Sequence, residues 1–152
     1  MPDNEKIHHP VLQQLYDYWQ SKFKDGRIPG RSDVDPLEFP EILPNICLID
    51  VERTDGRLHF RFRLFGTEHQ EFNQRDFTGK TIDEVFPPDA AAKVNAAYAH
   101  VVESAEPHFW REDMAFEGRD HIGYQRLICP LASDGETVDM LIGAFVFGSK
   151  GK

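Results

Sequence analysis

The strictest constraint on this chain is the run in which Leu58, Phe60, Phe62 and Leu64 alternate with His59, Arg61 and Arg63, because a period of two is one that a helix cannot satisfy. One face of such a strand is buried and the other is wet, the habit of an antiparallel sheet. Residues 46–51 form a second strand-like run just upstream, and Thr54-Asp55-Gly56-Arg57 joins the two. An Asp-Gly pair between such runs signals a hairpin, since its tight turn takes both central residues to positive φ. The sheet therefore begins with an antiparallel hairpin.

Helical spacing dominates elsewhere. Val11, Leu12, Leu15, Tyr18 and Trp19 fall on one stripe and Asp25-Gly26 supplies a stop, so residues 9–24 read as an amphipathic helix whose apolar face needs a partner. Residues 26–44 are dense in proline and glycine and read as an ordered connector with one helical turn. Asp35 caps that turn, with Pro36 at its first position and Glu38 reaching back. Short helical segments are expected over 67–86. A longer helix follows over 88–105, with Val94, Ala97, Tyr98, Val101 and Ala105 on one stripe. Three strands close the chain at about 108–116, 122–131 and 138–147. Two strands, a helical stretch and three strands give an α+β class: a five-stranded antiparallel sheet with helices on one face and an extra N-terminal helix. Residues 1–26 are read as that helix, 27–148 as the main domain and 149–152 as a tail.

Gly79-Lys80-Thr81 invites a phosphate-loop reading, which fails because the position five residues before it, where that loop needs glycine, is Gln74. A helix start fits better, since Thr81 and Glu84 are spaced as a capping box. With 26 acidic and 17 basic residues the net charge is −9, which disfavours nucleic acid and anionic lipid as partners. No apolar run approaches the roughly 20 residues of a membrane span, so a soluble, cytoplasmic protein is expected. Cys47 and Cys129 lie in apolar strand-like segments without a Cys-x-x-Cys spacing and are expected to pack as small hydrophobes. Twelve phenylalanines supply large apolar area for a core or for a lined pocket.

Several strings resemble one bacterial family of PAS domains: Leu15 to Trp19, Pro29-Gly30-Arg31-Ser32-Asp33-Val34-Asp35-Pro36, Leu43-Pro44-Asn45-Ile46, Arg61-Phe62-Arg63-Leu64-Phe65-Gly66-Thr67 and Phe77-Thr78-Gly79-Lys80. The resemblance implies a five-stranded antiparallel sheet cupping helices around a small cavity. It also implies a stand-alone, non-enzymatic sensory or interaction module that signals through protein contact.

Candidate chemistry is sparse. His100 could be compared with the haem ligand of haem-binding PAS domains, yet it lies about 120° from the apolar stripe of its helix, which argues against haem. Residues 67–86 contain no cysteine, which argues against flavin photochemistry of the PAS type. His69 with Glu68 and Glu71 lacks metal-ligand spacing, and Asp33 with Asp35 reads as structural, so no metal is expected. No Gly-x-Ser-x-Gly string occurs. The best enzyme alternative is a cone-shaped isomerase or dehydratase, which would need a His and an Asp meeting inside its cavity. Tyr98, Phe109 or Trp110, and Tyr124 or Arg126 are the candidates for a pocket that binds a small organic molecule, with their facing left open by strands that are apolar on both sides. An inward Arg126 would need an anionic partner, either an internal carboxylate or an acidic ligand. Leu12, Leu15 and Trp19 are the candidate contact of a homodimer, because their stripe must be buried either on its own domain or on a second copy.

Overall fold

A computed structural model of the chain describes residue 7 and residues 9–67, 76–115 and 121–149, with the side chains of 112–115, 121–124 and 147–149 outside the description. Its strands are β1 (Ile46–Thr54), β2 (Arg57–Phe65), β3 (His108–Ala115), β4 (His121–Leu131) and β5 (Met140–Ser149). They form one antiparallel sheet in the order β2-β1-β5-β4-β3. Among the described residues the α-helices are α1 (Pro10–Ser21), α2 (Ile82–Val85) and α3 (Pro88–Ser104).

The β1–β2 turn has Asp55 at φ 52° and Gly56 at φ 74°, the conformation that an Asp-Gly hairpin demands. Alternation along β2 is broken once. Leu48 pairs with Leu64 and Ile49 with Phe62, so Arg63 is the extra residue of a bulge. Phe60 and Phe62 point inward as expected, but the bulge turns Leu64 outward to 38% exposure and sends Phe65 inward in its place. Gly66 follows under a steric rule: a Cβ there would lie 2.4 Å from the Pro44 carbonyl oxygen and 2.7 Å from that of Ile46. On the free edge of β2, the Phe62 N–H donates to the Lys80 carbonyl and the Gly79 N–H to that of Phe62, which covers part of an otherwise exposed edge.

Both faces of the sheet are covered. On the inner face α2 and α3 pack over Ile49, Phe60, Phe62, Ile128, Leu141 and Phe145. On the outer face α1 and the connector pack over Leu48, Leu127, Cys129, Leu131, Ile142 and Ala144. Adjacent residues of β4 and β5 thus serve opposite cores, which is why these strands are apolar on both sides.

α1 lies across β4 and β5 with Leu12 and Leu15 fully buried and Trp19 4% exposed. The Trp19 indole N–H donates to the Pro130 carbonyl at 2.7 Å. Of the two partners that the sequence leaves open for this stripe, its own domain buries it here, and each large apolar side chain so buried contributes about 1.5–3 kcal/mol.

In the connector, Asp35 caps the turn Pro36–Glu38 by accepting the Leu37 N–H at 3.0 Å. Glu38 does not reach back as expected. Its carboxylate accepts the Tyr18 hydroxyl at 2.6 Å and pairs with Lys22 at 3.1 Å, tying the connector to α1. At α2 the capping box is formed, with Glu84 accepting the Thr81 N–H at 2.9 Å. Cys47 and Cys129 are fully buried on opposite faces, and burial pushes the Cys47 thiol up to about 12 and raises that of Cys129, leaving both inert near neutrality.

Candidate functional site

A buried charge stands out on the inner face. β3 and β4 pair so that Trp110 lies opposite Arg126 and His108 opposite Ile128, and the period of two puts all four on the side that faces α3. Tyr98 comes from α3, whose stripe of Ala91, Tyr98 and Val101 packs against the sheet, and its ring meets Phe60 edge-on at 5.5 Å. Arg126 is 5% exposed, and among the described residues it is the buried polar side chain. Its guanidinium lies 5.3 Å from the centre of the Tyr98 ring and 5.8 Å from that of Trp110. The quadrupoles of both rings favour a cation held over their faces. Trp110 is 40% exposed, so the cluster runs from a deep wall at Tyr98 to an outer wall in contact with solvent.

His108 extends the cluster. Its ring stacks on Trp110 with centroids 5.7 Å apart and 29° between planes, and it meets the edge of His100 at 6.1 Å. The buried Nδ1 of His108 makes no hydrogen bond among the described residues. Burial first, and then the charges of Arg126 and His100, hold this imidazole down at about 4, so it is neutral at physiological pH.

Of the pocket candidates, Tyr98, Trp110 and Arg126 come together. Phe109 does not: one step out of phase on β3, it turns to the outer face and packs against the core under α1. Tyr124 sits two residues before Arg126 on β4, opposite Glu112 and Phe147 in the backbone register, and its side chain lies outside the described residues. His69, Glu68 and Glu71 lie outside them as well. His100 is exposed on α3, on the side that its angular position indicates. His108 was not among the sequence candidates, although the alternation that carries Trp110 inward also carries the residue two before it.

A second feature is an open groove of about 540 Å³ on the outer face, between α1 and the connector, lined by Pro10, Gln13, Asp17, Tyr18, Glu38 and Phe39. Its polar groups are engaged with one another: Gln13 donates to Asp17 at 2.9 Å and Tyr18 to Glu38. It holds no buried charge, and the inner cluster is chemically the richer site. Among the described residues, no three His, Cys, Asp or Glu side chains stand close enough to hold a metal ion, and no helix is long and apolar enough to cross a membrane.

The profile of a PAS-domain family matches residues 7–146, nearly the whole chain. The chain belongs to the PAS-domain family. Among solved structures it is similar to the PAS domain of Bordetella pertussis BvgS, at 20% identity and a TM-score of 0.57, over 78% of this chain and 90% of that one. No curated protein matches it. As a PAS domain it is a sensory or signalling module in the general sense of that family, and its sheet order and helix placement are those of the fold.

Proposed function

We propose that this PAS domain is a non-enzymatic sensor that receives a small organic molecule between α3 and the β3–β4 end of the inner face and passes the event to a partner protein. The observation that carries this reading is Arg126, 5% exposed between the faces of Tyr98 and Trp110. A core selected for packing alone gains nothing from a guanidinium there, because removing a charge from water costs several kcal/mol and an apolar side chain of similar volume fits more cheaply. A flat cation between two rings suits a flat ligand with a polar end, held by the planar donors of arginine and the π faces beside it. With a net charge of −9, protein partners in the cytoplasm fit the surface better than nucleic acid or anionic lipid.

Native mass spectrometry of freshly purified protein, with an absorption spectrum of the same sample, tests the reading. A retained ligand is expected as excess mass that Arg126→Gln removes while the far-ultraviolet spectrum stays that of the folded chain. Excess mass that survives Arg126→Gln would move the ligand to another part of the molecule.

A second reading, a ligand-free interaction domain, is favoured by one observation. Phe62, Phe65, Phe77 and Phe86 fill the neighbouring part of the inner face with ring centroids 5.0–6.1 Å apart. A bare mass, together with no binding of small aromatic anions, would favour that reading.

A further inference from the structure

The open groove between α1 and the connector has a fixed floor and an exposed rim. Tyr18 and Phe39 form the floor, with their rings edge-on and centroids 4.8 Å apart. The Tyr18 hydroxyl is held by the Glu38 carboxylate at 2.6 Å and by the Asp35 N–H at 2.9 Å, so the groove is preformed and binding does not have to order it. Leu37 adjoins Glu38 on the turn that Asp35 caps, and it is 85% exposed. Among the described residues no other large apolar side chain is more than 40% exposed. A lone apolar residue on a surface is ordinary, but one carried on a capped turn beside a preformed groove is a ready contact.

Charge decides what such a surface suits. Asp17 on α1 and Glu38 on the connector line the groove from its two sides. Among the described residues the Asp17 carboxylate is met by the neutral amide of Gln13, at Oδ1, which leaves its charge uncompensated and its second oxygen open to a donor. Glu38 shares its charge with Lys22 at 3.1 Å. Over residues 10–22 and 30–39 the charged side chains are Asp17, Asp33, Asp35 and Glu38 against Lys22 and Arg31, so this face is negative. We propose that the groove docks a short basic segment of a partner protein, in which an arginine or lysine meets Asp17 while an apolar side chain beside it packs on Leu37 and the Tyr18 ring. The cation gains a charge-assisted hydrogen bond, and the apolar contact keeps water from it. A second copy is the poorer occupant, because each copy carries a net charge of −9. This surface supplies the protein contact of the function proposed above. It uses none of the residues of the inner cluster, so either can fail alone.

Acetylated and amidated hexapeptides that carry arginine and leucine in every order between glycines serve as probes. They are titrated into the isotope-labelled chain at low and at physiological salt and followed by NMR. The tightest of them is expected to shift the amide signals of residues 10–18 and 35–39, to weaken as salt rises and to lose its binding when glutamate replaces arginine. Asp17→Lys should weaken it at least about ten-fold and Leu37→Ser about five-fold. Both side chains are exposed, so neither change should move the urea midpoint.

Shifts that map to another face, or equal binding by Asp17→Lys, would reduce the effect to the general attraction of an acidic chain for basic peptides and overturn the groove as a docking site. Failure of every probe to bind at about 1 mM would overturn it as well. Self-association in light scattering that Leu37→Ser abolishes and no probe displaces would give the groove to a second copy and overturn the basic partner. None of these results bears on the inner cluster, whose ligand is read by mass.

Discussion

Leu127 and Arg126 are neighbours on one strand, yet they face environments of opposite character. Leu127 points to the outer core, where α1 brings Leu12, Leu15 and Trp19 onto aliphatic side chains of β4 and β5 and the indole N–H is satisfied by the Pro130 carbonyl. Arg126 points to the inner side, where Phe60, Phe62, Phe65, Phe77, Tyr98 and Phe145 put aromatic rings among the aliphatic side chains, and its guanidinium is held over the rings of Tyr98 and Trp110. The outer face spends its side chains on burying apolar area and satisfying the few polar atoms that come with it. The inner face accepts the cost of a buried cation beside a half-buried imidazole. Costs of that kind concentrate at functional sites, and this is the reason for proposing the inner face as the ligand-binding one.

The sharpest way to break this contrast is Trp19→Ala. Truncating a buried tryptophan should cost about 3–5 kcal/mol, read as a fall in the urea midpoint at unchanged slope, while ligand binding persists under conditions where the chain is folded. A loss of binding without a loss of stability would mean that the outer face is not the structural one.

An intermediate effect is expected from pH. The His108 imidazole is held at about 4 in the folded chain and returns to an ordinary 6.5 on unfolding. Between those values the unfolded chain binds the extra proton, so stability is complete above about 6.5 and declines as pH falls toward 4. Allowing for its partial exposure, we expect a loss of about 1–2 kcal/mol across that window, absent in His108→Gln. Urea titrations at several pH values check it, and equal pH profiles for wild type and variant would remove His108 from the account.

The smallest change should come from the polar trim of the outer face. Tyr18 donates to Glu38 and accepts the Asp35 N–H at 2.9 Å, so Tyr18→Phe unties the connector from α1. These groups are solvent-exposed, and a cost of about 0.5–1 kcal/mol is expected by chemical denaturation. A cost comparable to that of Trp19→Ala would make the hydroxyl latch, rather than apolar burial, the principal fastening of α1.

Much of the architecture is legible in the residues because it follows from local rules. The period of two in β2, the Asp55-Gly56 turn, the Asp35 cap and the Thr81–Glu84 box each require only neighbours in sequence. The misplaced residues share a different cause. Leu64 turned outward because a bulge, set by the pairing of β2 with β1, shifted the phase at Arg63. Glu38 served Tyr18 and Lys22 rather than its own turn, because α1 stands next to it only in three dimensions. Phe109 and Trp110 were inseparable in a strand apolar on both sides, and pairing with β4 decided between them.

The sequence by itself determined the elements, their order, the antiparallel hairpin and the short list that held Tyr98, Trp110 and Arg126 but not His108. Each of these follows from backbone sterics and from the period of apolar side chains, which operate within a few residues. Only the tertiary structure decided that the stripe of α1 is buried on its own sheet, and that His108, Trp110 and Arg126 converge with Tyr98. Those outcomes depend on which distant segments meet and which face each strand turns to them, and no property of a single segment specifies that.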